Sequence, residues 1–213
     1  MNRFERMQRF EEAGLYPVTC EALSAGRTNL EFLEAVIAGG ARIVQLREKD
    51  LSKREFHTLA LVFRKRCADA GLLLIINDHL DVALSVGADG VHLGQDDFPL
   101  PHARRLAPEL ILGASTHNRK EALTAVREGA DYYNIGPIYP TGTKAHLSEF
   151  LGPEAICAIS EGIDLPFTVM GGIKEHNLAL LKEHGARHIA VVTALTQAPD
   201  ITSATRRMIE ALS

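Results

Sequence analysis

Short apolar segments rich in Val, Ile and Leu alternate along this chain with longer stretches in which apolar residues recur every three or four positions. The first pattern is that of strands buried on both faces and the second that of amphipathic helices packed over them, so the alternation predicts a parallel sheet of βα units. Eight strands are expected, at residues 16–20, 42–47, 73–77, 90–93, 111–114, 132–136, 167–170 and 188–192. Between them, residues 53–70, 119–128, 174–183 and 202–212 keep helical spacing with charged outer faces, and each is long enough for a crossover.

A weak repeat supports the same plan. Gly40-Ala41-Arg42, Gly87-Ala88-Asp89, Gly129-Ala130-Asp131 and Gly185-Ala186-Arg187 all fall between a helix and the next strand. Glycine there is expected to end the helix in the left-handed conformation before the chain enters the sheet. Eight such units in about 200 residues fit an α/β fold closed into one (β/α)8 TIM barrel better than an open doubly wound sheet of five or six strands. A helix at residues 3–13 precedes the first strand, so residues 1–14 are expected to close the barrel bottom as an extra element. No linker rich in Pro, Gly or Ser divides the chain, and residues 1–213 are read as one domain.

Composition narrows the class. With 213 residues, 46% hydrophobic and 23% charged, the chain is neither disordered nor fibrous and can bury a sizeable core. The formal net charge is −4 with both signs interspersed, which excludes the cationic stripe of a nucleic-acid binder. Cys20, Cys67 and Cys157 form no C-x-x-C pair, so they read as buried small hydrophobes rather than a disulfide framework or zinc knuckle. Residues 1–13 mix Arg3, Arg6 and Arg9 with Glu5, Glu11 and Glu12, unlike a signal or transit peptide. No apolar run approaches the roughly 18 residues of a membrane span. A soluble, cytoplasmic protein without membrane or nucleic-acid partners is expected.

In a barrel of this kind the active site lies at the C-terminal ends of the strands, so polar residues there are the candidates. After strand 2, alternation puts Gln45, Arg47 and Lys49 on one side, a set suited to an anion; taken alone, the segment also reads as a salt-bridged rim with Glu48 and Asp50. Strand 3 ends in Asn77-Asp78 and strand 4 runs into Gly94-Gln95-Asp96-Asp97. Carboxylates on neighbouring strand ends can share a Mg2+, although Asp78 could equally cap the helix that follows. Ser115, Thr116 and His117 end strand 5, where they could serve an anion or simply cap a helix. His117 has the acid/base type, whereas His92, inside a strand, reads as a satisfied core histidine. The segment Gly136-Pro137-Ile138-Tyr139-Pro140-Thr141-Gly142-Thr143-Lys144 opens a long loop able to close over a diphosphate. Gly171-Gly172 and Val192-Thr193 mark the position where many barrels hold a phosphate on backbone amides, a place for glycine because side chains would clash.

Together, Gln45-Leu46-Arg47-Glu48-Lys49, Ile76-Asn77-Asp78, the run from Gly90 through His92 to Asp97, Ser115-Thr116-His117, the Gly136 to Lys144 segment and Gly171-Gly172-Ile173 resemble the thiamine phosphate synthase family, collinearly over residues 16–195. The resemblance implies a transferase joining 4-amino-5-hydroxymethyl-2-methylpyrimidine diphosphate to 4-methyl-5-(β-hydroxyethyl)thiazole phosphate, with release of pyrophosphate. It implies Mg2+ on Asp78 and Asp97. Arg47, Lys49, Asn77, Ser115, Thr141, Thr143 and Lys144 would hold the diphosphate, with Arg47, Lys49, Ser115 and Lys144 carrying the catalysis. Gln45 would meet the pyrimidine, and Gly172, Val192 and Thr193 the thiazole phosphate. The partners implied are these small molecules, and a homodimer is compatible with the reading. The chain departs from the family at Cys20, where Asp is common, and at residues 145–150, which lack a Pro-rich run. Two rivals remain at this point: the related thiazole tautomerase, which uses an acid/base histidine, and a non-catalytic phosphate-binding barrel.

Overall fold

The computed structural model describes residues 1–142 and 150–213. Helix α1 (Arg3–Glu11) precedes β1 (Leu15–Pro17), and α2 (Asn29–Ala38), β2 (Ile43–Leu46), α3 (Lys53–Ala70), β3 (Leu73–Asn77), α4 (Leu80–Val86), β4 (Gly90–Leu93), α5 (Leu100–Leu106) and β5 (Ile111–Thr116) follow. The second half adds α6 (Arg119–Arg127), β6 (Tyr132–Ile135), α7 (Glu154–Ser160), β7 (Phe167–Val169), α8 (Leu178–Glu183), β8 (His188–Val191), α9 (Thr193–Thr196) and α10 (Ile201–Leu212). The expected α/β barrel is therefore observed, with most boundaries shifted by a residue or two and β1 ending three residues early, at Pro17. The largest change is at residues 174–183, where a 3-10 turn (Glu175–Asn177) precedes a shorter α8.

Local chemistry accounts for many of the helix ends. Asn2, Thr28 and Ser52 each accept a hydrogen bond from the backbone N–H of Glu5, Glu31 and Glu55, whose carboxylates return to the cap N–H. Each reciprocal pair satisfies two donors that the first helical turn leaves unpaired. The repeated glycines behave as expected: Gly40, Gly87, Gly129 and Gly185 have φ of 92°, 66°, 91° and 88°, a region where a Cβ is strained.

All strand pairs are parallel, in the order β1-β8-β7-β6-β5-β4-β3-β2. The ring closes through a single bridge between Val18 and Gln45. Proline explains why that seam is thin. Val18 N donates to Val191 O on one side and Thr19 N to Gln45 O on the other. The same alternation would send the N–H of position 17 toward β2, and Pro17 has none to give.

Two apolar layers result. Alternate strand residues such as Val44, Leu74, Leu112 and Tyr133 pack outward against the helices. The others, including Tyr16, Ile43, Ile75, Ile111 and Tyr132, fill the barrel with Phe10 of α1. Tyr132 fits because a Cβ at Gly113 would lie 2.2 Å from its ring.

The N-terminal mouth is braced by buried carboxylates. Asp89 accepts from the N–H of Leu74 and pairs with Arg6 and Arg64, while Asp131 accepts from the N–H of Leu112 and pairs with Arg3 and Arg104. Helix α1 thus meets the strand starts through Arg3 and Arg6. Among the described residues no helix is long and apolar enough to cross a membrane. The three cysteines are free; Cys67 is buried as expected, but Cys20 is only partly so and Cys157 is exposed.

Candidate active site

Parallel register assembles the site from single inward positions on successive strands. Asn77 pairs with His92, Ser115 with Asn134, and Asn134 with Thr168. Because neighbouring strands in a barrel keep their inward faces aligned, these side chains form a polar ring at the C-terminal mouth. They line one cavity with Gln45, Arg47, Lys49, Asp78 and Asp97. Thr141, Gly172, Val192 and Thr193 line it as well. Thr143 and Lys144 lie outside the described residues.

Lys49 does not form the rim with Glu48 and Asp50 that its local sequence allows. Its ammonium pairs with Asp78 from the next strand end. Glu48 turns away and accepts from the backbone N–H of Glu21. Nor does Asp78 cap α4, whose cap position is His79, without a side-chain bond. Asp78 instead has φ of 62°, one of two non-glycine residues with positive φ among the described residues. Its N–H donates to His92 O at 2.8 Å. Such a conformation costs free energy, and its result is that the carboxylate faces the cavity.

Asp97 approaches from the loop after β4 and accepts from the N–H of Gly94 at 2.7 Å. Burial first, and then the adjacent Asp78 carboxyl, push the Asp97 carboxyl above its ordinary range. Two carboxyls set side by side in a half-buried mouth repel one another when ionised, and a cation between them removes that repulsion. Among the described residues no group of three or more His, Cys, Asp or Glu gathers as a closed metal site. The pair can supply two oxygen donors, which suits a hard cation that keeps waters and takes its remaining oxygens from phosphates.

Helix α6 is capped neither by Ser115 nor by Thr116. Asn118 does that, accepting from the N–H of Glu121 at 3.0 Å. Thr116 is buried and donates to Asn134 O, whereas Ser115 Oγ lies 3.0 Å from His92 Nε2 at the cavity wall. His117 also lines the cavity, its Nδ1 held 2.9 Å from Glu121.

Gly171 and Gly172 are required for a reason other than the one the sequence suggests. Their φ values are 102° and 64°, and a Cβ would meet Pro137 at 2.5 Å or Pro140 O at 2.4 Å. It is the protein's own β6 loop, packed against the β7 end, that excludes side chains. Beside them Lys174 Nζ donates to Thr193 Oγ1 at 2.9 Å, adding a cation that strand-end reading missed.

Sequence reasoning also passed over Tyr16, Asn134 and Thr168, and it read His92 correctly as buried and satisfied but not as part of the cavity wall. Asn134 and Thr168 had a signal, each being a polar residue between two apolar ones in a strand. Their side chains share a hydrogen bond of 2.8 Å. Tyr16 had none, since a tyrosine in a strand reads as core. Cys20, the departure from the family pattern, lies outside the cavity lining; burial raises its thiol pKa and neighbouring Arg47 opposes that.

Comparison with known proteins gives this geometry a family. The thiamine-phosphate synthase of Chloroflexus aurantiacus is 47% identical over 194 residues, covering 91% of this chain and 90% of that one. The thiamine-phosphate synthase of Dictyoglomus thermophilum is 40% identical over 213 residues, covering 100% of this chain and 96% of the relative. Among solved structures, a thiamine phosphate pyrophosphorylase from Pyrococcus furiosus superposes with a TM-score of 0.87 at 33% identity, covering 96% of this chain and 97% of that chain. The family profile described as thiamine monophosphate synthase matches residues 15–195, the span that supplies all eight strands and the cavity between their ends, and the chain belongs to that family.

Proposed function

We propose that the chain is a thiamine-phosphate synthase, a transferase that joins the pyrimidine diphosphate to the thiazole phosphate and releases pyrophosphate, and that its site residues divide the work by strand end. One observation carries the reading: Arg47, Lys49, Ser115 and the Asp78–Asp97 carboxyl pair converge on one cavity in a member of this family.

In this reading Asp78 and Asp97 hold Mg2+, which supplies positive charge to the diphosphate oxygens when bound. Burial and then the neighbouring Asp78 carboxyl raise Asp97, and a cation shared by the two carboxyls would relieve both. Arg47 and Lys49 bind the diphosphate by charge-assisted hydrogen bonds, with Asn77, Ser115 and Thr141 lining the same cavity. Family resemblance adds Thr143 and Lys144. These donors favour the departing diphosphate more than the bound ester, since negative charge grows on it as the C–O bond breaks. Gln45 orients the pyrimidine ring, whose amino group spreads the positive charge left on the methylene. The thiazole nitrogen then captures that carbon, positioned by its phosphate at Gly172, Val192, Thr193 and the neighbouring Lys174. No general base is needed, so His117, engaged with Glu121, serves as wall. We further read the enzyme as cytoplasmic.

The test is turnover. Purified protein with both substrates and Mg2+ should release pyrophosphate and form thiamine phosphate, followed by a coupled phosphate assay and chromatography. No product, with isomerisation of the thiazole phosphate instead, would overturn the reading in favour of the tautomerase.

A further inference from the structure

A continuous row of hydrogen bonds runs beneath the cavity and joins two of the residues assigned above to one substrate. Gln45 Nε2 donates to Tyr16 Oη at 2.9 Å, and Tyr16 Oη lies 3.1 Å from Tyr132 Oη. Tyr132 Oη lies 2.9 Å from His92 Nδ1, and His92 Nε2 lies 3.0 Å from Ser115 Oγ. The five side chains come from β2, from β1, from β6, from β4 and from β5, so no single segment of sequence contains the row. Gly113, facing His92 in register, leaves the space that admits the Tyr132 ring.

We propose that this row has one polarity, that it holds His92 as the Nε2–H tautomer, and that Tyr16, Tyr132 and His92 are positioning residues which set how Gln45 and Ser115 meet the pyrimidine diphosphate. Hydrogen counting gives the direction. Tyr16 oxygen receives the hydrogen of Gln45, so its own hydrogen goes to Tyr132, because the hydroxyl is enclosed and a buried donor left unpaired is strongly unfavourable. Tyr132 then gives its hydrogen to Nδ1. A neutral imidazole carries one N–H, which is therefore on Nε2 and donates to Ser115 Oγ. The Ser115 hydrogen is released to point into the cavity. Reversing the row would set the hydroxyl hydrogen of Tyr16 against the N–H of Gln45, unless the amide turned over to offer its oxygen, and the His92 tautomer distinguishes the two arrangements.

The two ends then match the two ends of one ligand. With its nitrogen committed to Tyr16, Gln45 presents its carbonyl oxygen, an acceptor suited to an exocyclic amine on a pyrimidine. Ser115 presents a donor suited to a diphosphate oxygen. Burial holds both tyrosine hydroxyls protonated, so the row transmits orientation and not charge. A row of neutral groups with a fixed direction is favoured over a mixed one because each hydrogen bond polarises the next in the same sense. The identity of the ligand rests on the function proposed above; the polarity of the row does not.

The experiment reads the tautomer directly. Protein carrying nitrogen-15 histidine is examined by NMR without substrate at about pH 8.5, above the ordinary imidazole range, with His92→Gln assigning the resonance. Wild type should show one Nε2–H tautomer, and Gln45→Glu, whose carboxylate only accepts, should reverse the row and move the proton to Nδ1. An Nδ1–H tautomer in wild type, or the same tautomer in both proteins, overturns the proposal. The wild-type spectrum decides the first point even if Gln45→Glu does not fold. Tyr132→Phe, which keeps the ring and cuts the row, should lower kcat roughly three- to tenfold, the worth of one hydrogen bond. An unchanged kcat would remove the row from function. Failure of the synthase assay with the expected tautomers would instead count against the substrate reading alone.

Discussion

The two mouths of the barrel use the same charged residue types to opposite ends. At the N-terminal mouth Asp89 and Asp131 are buried, and each is met by two arginines and a backbone N–H, so every carboxylate has its countercharge. At the C-terminal mouth Asp78 and Asp97 stand beside one another, with Asp78 in a strained backbone conformation and Lys49 bridging to only one of them. At one end each carboxylate is matched by cations and a backbone donor, and at the other two carboxyls face the same cavity side by side. The difference follows from connection chemistry: α1 covers the N-terminal mouth with Arg3 and Arg6, whereas the C-terminal strand ends and loops carry the polar side chains that face the cavity.

That contrast can be broken at the closed end first. Asp131→Ala leaves Arg104 and the N–H of Leu112 without their carboxylate, and should destabilise the fold by about 3 kcal/mol in urea unfolding. The catalytic constant of the molecules still folded should stay at the wild-type value. A loss of activity larger than the loss of folded protein would show that the bottom reaches the chemistry.

At the open end the reverse is expected. Asp97→Ala should slow turnover roughly a hundredfold at limiting Mg2+, comparable to removing a preorganised transition-state contact. Thermal unfolding should be unchanged or shifted upward, since the substitution removes a carboxyl held next to another. If turnover is unaffected at limiting Mg2+, the cation assignment is wrong.

The smallest effect concerns pH. His188 is buried at the closed end, against Phe10 and the carbonyl of Ala13, and burial lowers its pKa from 6.5. The unfolded chain therefore binds a proton more readily, and stability contributed by the neutral ring is full above pH 6.5 and declines as pH falls toward the lowered value. Unfolding midpoints measured downward from neutrality should fall less in His188→Gln than in wild type. Equal slopes would show that His188 does not set the acid response.

The βα alternation and the strand ends were legible because they depend on spacing within a few residues. Gln45, Arg47 and Lys49 could be put on one face by period-two counting, and all three reach the cavity. The role of Asp78 could not be chosen between cap and cavity, because nothing local announces a positive φ at an aspartate. Ser115 looked like a cap for the same reason: the residue that does cap α6, Asn118, is only three positions away. His92 was legible as buried and satisfied, but its partners, Tyr132 and Ser115, are 40 and 23 residues distant.

By itself, then, the sequence determined the eight βα units, the glycines that end the helices, the end of the barrel that carries chemistry and, through resemblance, the family. The tertiary structure alone decided which of those polar residues touch. It set Asp78 beside Asp97, fitted Gly171 and Gly172 against the protein's own loop, and strung Gln45, Tyr16, Tyr132, His92 and Ser115 into one row. Periodicity is a property of neighbouring residues, whereas closing a barrel brings together side chains from five strands whose contacts exist only after every crossover has folded.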